Sequence, residues 1–534
     1  MCYIIHLDPT FFSGLEKVDY KGFFRQRFGS GSGCAVPASV DERFSTRSLL
    51  WLLLGWMCFW SLLPSFCLGN VSVDVAENIA WGQNFDWGYD KNPYFGAWFS
   101  FAVFKFLPTA IAEHVFYWVG QLSVLVGLFA VHLIAREIFE DRFSSFITVV
   151  SALLIPSFSN EACEFNDDIL CIALYGLTAL FFLRGVKRND PGNWLAFGLC
   201  AGLAVMTKYL AGVLLLPLGI LVFATPEGRK CLRRPWIYLG GLLAVLLILP
   251  NVIWLIRHDF AAVTYAFGRA RLDRPRTLGI RLGNFFSTWG YFLLHLLLPT
   301  VALLIFRRGV RRSEKFGFEQ WFVLTVAIAP TAFSSLFALM TGGRVMTPWM
   351  IPYYLFVTLP LVMFYRPCPE AQSLRRFWAL LAVVTVSMAA IFCHGHLYHH
   401  LYRRRSCNHN VYPGREIADM VTAEWHRRFG RPCPYVIGTR KPACNMCYYS
   451  PDHPRAFFEH DIRQSQWIDP ADIKKRGAVV LWESGVPGYL GQYGKKVIYL
   501  KDIKLHRAAP WWMRFWAPRP PALVIRAALI QPEP

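Results

Sequence analysis

Long apolar runs separated by short basic gaps constrain this chain more than any other feature. LLWLLLGWMCFWSLLPSFCLG and GGLLAVLLILPNVIWLI are two of them. A bilayer core about 30 Å thick needs roughly 20 apolar residues per helix. Only 17% of residues are charged, below the roughly 25% of soluble domains. The runs predict helical spans near residues 48–67, 115–137, 143–158, 168–185, 193–207, 209–224, 235–256, 290–306, 320–340, 350–365 and 377–393, about eleven in all. The fold class is a polytopic α-helical membrane protein.

The net charge of +20 does not point to nucleic acid, because the Lys and Arg residues sit in the gaps between apolar runs, where they set topology. With the N-terminus inside, the inside gaps are REIFEDR, RGVKRND, EGRKCLRR, RRGVRR and RPCPEAQSLRR, each with at least two Lys or Arg residues. Two outside gaps, SVDVAENIAWGQNFDWGYD and NEACEFNDD, are acidic. The outside gap from Arg257 to Asn284 breaks the pattern with many arginines, as a loop that needs cations would. No small-residue cleavage site follows the first apolar run, so it is expected to stay as a helix.

Three regions follow. Residues 1–47, polar and basic with a GSGSG stretch from Gly29 to Gly33, are expected to be a disordered cytoplasmic extension. Residues 48–393 form the membrane domain, with a first outer loop at 68–114. Residues 394–534 fall outside and carry strand-like runs, PYVIG, AVVLW, KVIYL and ALVIR, between polar stretches, the pattern of a small α/β domain. In a bacterium this outside is the periplasm, where disulfides persist. Cys433 with Cys444 or Cys447 is then either a bridge or a set of unpaired thiols. Cysteines inside apolar runs read as small buried hydrophobes.

The first outer loop is the richest in chemistry. Asp74, Glu77, Asp86, Asp90 and Lys91 lie close together in sequence, among Trp81, Trp87, Tyr89, Tyr94 and Trp98. An interfacial helix with an aromatic belt accounts for the aromatics but poorly for the acids, which anionic headgroups disfavour. Asn166, Asp167 and Asp168 stand at the outer mouth of the fourth span. Asn166 suits a helix cap, whereas the two acids exceed what a cap needs. Two carboxylates near Asp90 could hold a divalent cation through oxygen ligands. Lys208, in AVMTKYLAG, interrupts an apolar hairpin, where it either snorkels or meets an anion. Arg344 follows the turn at Gly342 and Gly343. Carboxylates and cations at one membrane face suit transfer from a lipid phosphate: cations hold the leaving phosphate and a carboxylate takes a proton. An ion-coupled transporter would use the same inventory.

Three blocks resemble glycosyltransferase family 39, the GT-C membrane enzymes that include protein O-mannosyltransferases and bacterial lipid A aminoarabinose or hexosamine transferases. DVAENIAWGQNFDWGYDKNPYFGAW is similar to the family's acidic first-loop motif, with Asn92-Pro93-Tyr94 where the family has two prolines and Val75 where an acid is common. FNDDILCIALYGLTALFFLRG with WLAFGLCAGLAVMTKYLAG resembles its paired-helix region, and GGRVMTPWMIPYYLF its Trp-x-x-Pro block. The tail segments YYSPDHPRAF and GAVVLW are similar to short-tailed bacterial members.

The resemblance implies an inverting sugar transfer from a polyprenyl-phosphate donor, without a nucleotide cofactor, to a lipid or glycan acceptor such as lipid A or lipopolysaccharide. It implies Asp74 as the catalytic base, and Lys91, Lys208 and Arg344 as donor-phosphate contacts. Glu77 and Tyr89 fall to the acceptor or the loop, and a divalent metal would sit near Asp90 with Asp167 or Asp168. The expected place is the bacterial inner membrane, with the N-terminus cytoplasmic and the C-terminal domain periplasmic, among membrane lipids and with no nucleic-acid partner. A transporter or flippase of a lipid-linked sugar is the alternative. It should show repeated halves, and no such self-similarity is visible.

Overall fold

The computed structural model describes residues 43–533, apart from 271–275 and 310–315. Most of the expected N-terminal extension lies outside the described residues. Every predicted apolar run is helical, though not always as one unbroken helix. The helices that matter below are α1 (Thr46–Cys67), α2 (Val73–Gly82), α3 (Tyr94–Lys105), α4 (Thr109–Ile138), α5 (Arg142–Ala152), α6 (Asp167–Arg188), α7 (Pro191–Thr207), α8 (Gly212–Ala224), α9 (Pro235–Arg257), α10 (Ala261–Arg269), α11 (Leu278–Leu304), α12 (Phe318–Thr341) and α13 (Ala371–His394).

Eight helices are long and apolar enough to cross a membrane among the described residues, or nine if the bent pair Arg142–Ala152 and Pro156–Cys163 is one span. The sequence pattern led to about eleven. The difference lies in three places. The chain bends by 93° between the halves of that pair. α7 ends after 17 residues at Lys208. A short 3-10 turn, Tyr209–Ala211, then starts α8, which with that turn is also shorter than a typical span. The polar residue that marked the hairpin also cuts it short. α7 and α9 pack so closely that a Cβ on Gly198 or Gly240 would overlap the other helix's backbone. A glycine is required at both positions.

The C-terminal region builds a six-stranded sheet, numbered here β1 (Tyr435–Gly438), β2 (Arg455–Phe458), β3 (Ala478–Trp482), β4 (Val497–Tyr499), β5 (Ile503–His506) and β6 (Ala522–Ile530). All four predicted runs are strands. β2 and β5 carry no run long enough to have stood out. β1 pairs in parallel with both β2 and β3, and β3 pairs antiparallel with β6. The long β6 pairs on its other edge first with β5 and then with β4. α14 (Gly414–Phe429) and α15 (Arg440–Tyr449) pack against one another beside this sheet. Cys433, Cys444 and Cys447 are buried free thiols, which corrects the bridge considered above. The Cys433 thiol meets the Tyr435 carbonyl at 3.4 Å and that of Cys447 meets Pro454 at 3.0 Å, so each is held locally.

Buried polar contacts tie this region to the membrane helices. The Tyr449 hydroxyl donates to Glu113 at 2.7 Å and accepts from the Val71 amide at 3.0 Å. Asn70 donates to Asn445 at 2.9 Å, and Asn410 to Glu164 at 2.5 Å. α15 therefore lies directly on the first outer loop.

Candidate active site

Ser72 starts the site by capping α2: its hydroxyl accepts from the Val75 amide at 3.4 Å. The helix then places Asp74, Glu77 and Asn78 at i, i+3 and i+4, on one face. Glu77 and Asn78 are buried, while Asp74 is open to solvent. Asp74 is accessible yet closely surrounded by protein. That loss of hydration, reinforced by the Glu77 charge and only partly offset by Lys91, pushes its carboxyl up to about 7. Asp167 and Glu164 are near enough to act in the same direction.

The chain after α2 turns sharply. The Tyr89 amide donates to the Asn92 carbonyl at 3.0 Å, and Gly88 bridges to Pro93. Asp90 and Lys91 sit at the tip of this turn, which closes without the second proline of the family pattern. Asn251 of α9 holds it by donating to the Trp87 carbonyl at 2.6 Å, and Tyr209 donates to Asn251 at 3.0 Å. A Cβ on Gly88 would overlap the Trp254 ring. Tyr89 is fully buried and stacks on Trp81 at 5.4 Å. It is a packing residue of the loop, and burial pushes its hydroxyl pKa up. The Asp86 carboxylate accepts the Trp87 amide at 2.8 Å and shapes the same loop.

Lys91 donates to Glu77 at 2.6 Å. Arg440, the first residue of α15, donates to both Glu77 and Asp90. Its guanidinium lies 4.5 Å from the centre of the Phe458 ring and also reaches Gln464 at 3.3 Å. Burial alone would raise the Glu77 carboxyl, but Arg440 and Lys91 outweigh it and hold Glu77 below its ordinary value. At Asp90 burial wins over Arg440, with the Glu77 charge adding to it, and pushes the carboxyl up to about 6.

The second acidic point joins this cluster through side-chain amides. Asn166 is the expected cap, accepting from the Ile169 amide at 3.1 Å. Asp167 accepts from Asn78 at 3.0 Å and from Asn92 at 2.5 Å. Asp168 pairs with Lys208 at 2.5 Å, and the Lys208 ammonium lies 5.8 Å from the Trp349 ring centre. A Cβ on Gly96 would overlap the Asp167 carboxylate, so α3 approaches it only as glycine.

Asp74, Glu77, Asp90, Lys91 and Asp167 are thus brought together, with Asp168 and Lys208 beside them. Among the described residues Arg344 has no ion pair or side-chain hydrogen bond to them. It is exposed and lines a cavity of about 230 Å³ with Arg276, Asn284 and Tyr291. Its backbone amide donates to Ala270 at 3.1 Å, at the end of α10, whose Tyr265 ring centre lies 5.5 Å from Lys91. The expected metal trio does not assemble. Among the described residues no three His, Cys, Asp or Glu side chains are grouped to hold a metal ion. Asp90 pairs with Arg440, Asp168 with Lys208, and Asp167 with two amides. The donors around these acids are cations and amides, so the arrangement does not fit a cation between them.

Sequence reasoning missed Asn78, Asn92 and above all Arg440. Asn78 had a signal in its i+4 spacing from Asp74. For Arg440 the only signal was a deficit: Asp74, Glu77 and Asp90 outnumber Lys91 in the first loop, so another cation had to arrive from elsewhere.

Residues 91–254 match the family described as dolichyl-phosphate-mannose-protein mannosyltransferase. The chain is 24% identical to lipid A galacturonosyltransferase RgtD of Rhizobium johnstonii over 366 residues, which is 66% of this chain and 72% of that one. It is also 24% identical to lipopolysaccharide core galacturonosyltransferase RgtA of the same organism, over 59% of this chain and 64% of that one. The fold is similar to that of ArnT from Cupriavidus metallidurans bound to undecaprenyl phosphate. That likeness has a TM-score of 0.56 at 15% identity and covers 90% of this chain and 98% of ArnT.

Proposed function

We propose that this membrane glycosyltransferase, family-39-like and GT-C in fold, moves a sugar from a polyprenyl-phosphate carrier onto lipid A or a related lipopolysaccharide. The observation that carries the reading is Asp74: a solvent-open carboxyl pushed up to about 7, one helical turn from the Glu77–Lys91 pair. A base with that affinity for a proton is matched to neutral pH. The names of the galacturonosyltransferase relatives and of the undecaprenyl-phosphate complex support the acceptor and donor classes. The basic inside gaps support an inner-membrane orientation with this site on the periplasmic face.

In the proposed step an acceptor oxygen attacks the anomeric carbon from the side opposite the lipid phosphate. The new carbon–oxygen bond forms as the bond to the phosphate oxygen breaks. The acceptor's proton passes to the Asp74 carboxylate, and the bonding electron pair leaves with the polyprenyl phosphate. Where the acceptor is already an anionic phosphate, Asp74 orients it instead. Lys91 uses one of its three N–H donors on Glu77 and Lys208 one on Asp168, which leaves donors at each for phosphate oxygens. Charge-assisted contacts of this kind strengthen as charge builds on the leaving group. Arg440 holds Glu77 and Asp90 in place and so fixes where Lys91 points.

The test is purified protein in vesicles with a polyprenyl-phosphate sugar and lipid A, read by mass spectrometry. The expected products are glycosylated lipid A and free polyprenyl phosphate. Movement of the intact carrier across the vesicle membrane with no cleavage of its sugar would replace this reading with the flippase.

A further inference from the structure

Near its C-terminus the chain carries the run Pro510–Trp516, PWWMRFW, around a short 3-10 helix, Trp511–Phe515. Met513 is its inward anchor, buried with Leu401 and Val411. The aromatic residues do not follow it inward. Trp511, Phe515 and Trp516 are 64%, 83% and 69% exposed. Three large aromatic side chains left exposed within six residues of a folded domain mark a surface with a partner.

Two helix ends fix where the patch stands. The Trp512 indole donates to the carbonyl of Phe66 at 2.7 Å, in the last turn of α1. Arg507, buried at the root of the same segment, donates to the carbonyls of His400, Leu401, Arg404 and Arg405 at 2.8, 3.2, 2.7 and 3.2 Å. Those residues lie at the end of the last membrane span, Ala371–Arg403, and just past it. The Tyr402 hydroxyl adds a bond to the Pro518 carbonyl at 2.8 Å. The segment therefore lies across the ends of the first and last spans.

The outer face of α1 leads into the patch. Trp51, Phe59, Leu62 and Phe66 are exposed, and at about 100° per residue they fall on one side of the helix. That side faces lipid, and Trp512 bonds to its final member. Arg403, Arg404, Arg405 and Arg519 are exposed around the same region. Aromatic side chains beside cations at a span end match the headgroup level of a bilayer containing anionic lipid. We infer that Trp511, Phe515 and Trp516 are seated in the headgroup–acyl boundary of the phospholipid bilayer and hold the C-terminal domain down on the membrane. The inference is independent of the sugar-transfer reading.

The experiment places a photo-crosslinking benzoylphenylalanine at Phe515 and, separately, at Trp516 of the full-length protein. Both sites are exposed and already aromatic, so the fold is retained. A third protein carries it at Lys475, which is exposed and precedes β3, at the end of the sheet opposite residues 506–522. Each protein is reconstituted into phosphatidylethanolamine–phosphatidylglycerol vesicles, irradiated and analysed by mass spectrometry. The expected result is phospholipid adducts at 515 and 516 and none at 475. Crosslinks to a second copy of the chain, or lipid adducts no more abundant than at 475, would overturn the inference.

Discussion

Arg440 and Glu77, 363 positions apart in the chain, form an ion pair beside the Asp90–Lys91 turn. The first residue of a helix in the C-terminal domain thus completes the electrostatics of a loop between the first two spans. The same guanidinium also takes Asp90, so two buried acids depend on a cation from the far end of the sequence.

Removing that cation leaves both acids buried, with Lys91 alone to serve them. Breaking a buried pair from one side typically costs about 3–5 kcal/mol. Arg440→Ala is therefore expected to lower the thermal unfolding temperature in nanodiscs and to abolish transfer. Arg440→Lys keeps the charge but loses the two-pronged geometry, so it should fall between the two. An Arg440→Ala protein as stable and active as wild type would show that the pair does not organise the site.

Asp74 sets the pH response. With its carboxyl at about 7 rather than 3.8, the carboxylate fraction, and with it the rate, should rise through pH 7 and fall about tenfold per unit below it. Stability should move the other way. Between about pH 4 and 7 the native state holds the proton that the unfolded chain releases, so stability falls as pH rises through that window. Asp74→Asn removes this contribution. Rate and melting profiles from pH 5 to 9 read both trends.

Lys91 has a distinct kinetic signature. Its charge should act more on the departing phosphate than on the resting carrier. Lys91→Ala should lower kcat by more than it raises KM for the carrier, and Lys91→Arg should recover part of the loss. A change confined to KM would assign Lys91 to carrier binding only.

Gly96 is the packing test. A side chain there would meet the Asp167 carboxylate and displace it from Asn78 and Asn92. Overpacking of this kind costs about 1–3 kcal/mol. Gly96→Ala should lower the melting temperature and the rate together, whereas Gly55→Ala, with open space around its Cβ position, should change neither.

What could be read from the sequence was what lies close along the chain. The apolar runs announced the helices, and the charged residues of the first loop announced Asp74, Glu77 and Lys91, because α2 and one tight turn bring together residues no more than 17 positions apart. The Asn166 cap was legible for the same reason. The span count was not, since a 93° bend and the break at Lys208 depend on how neighbouring helices pack. How the carboxylates would be grouped was not legible, because sequence shows carboxylates but not their partners: Arg440, Asn78 and Lys208 reach Asp90, Asp167 and Asp168 through space. Arg344 shared a membrane face with the lysines in the topology, yet the cavity it lines includes neither of them.

The central claim is that Asp74 takes the proton from the acceptor. The most direct measurement is single-turnover transfer by Asp74→Asn, which keeps the side chain's size and removes its basicity, with carrier binding measured in parallel. The expected result is unchanged protein level, unchanged carrier binding and a rate lower by about 10²–10⁴, with no recovery at higher pH. Wild-type turnover by this variant would remove Asp74 from the chemistry.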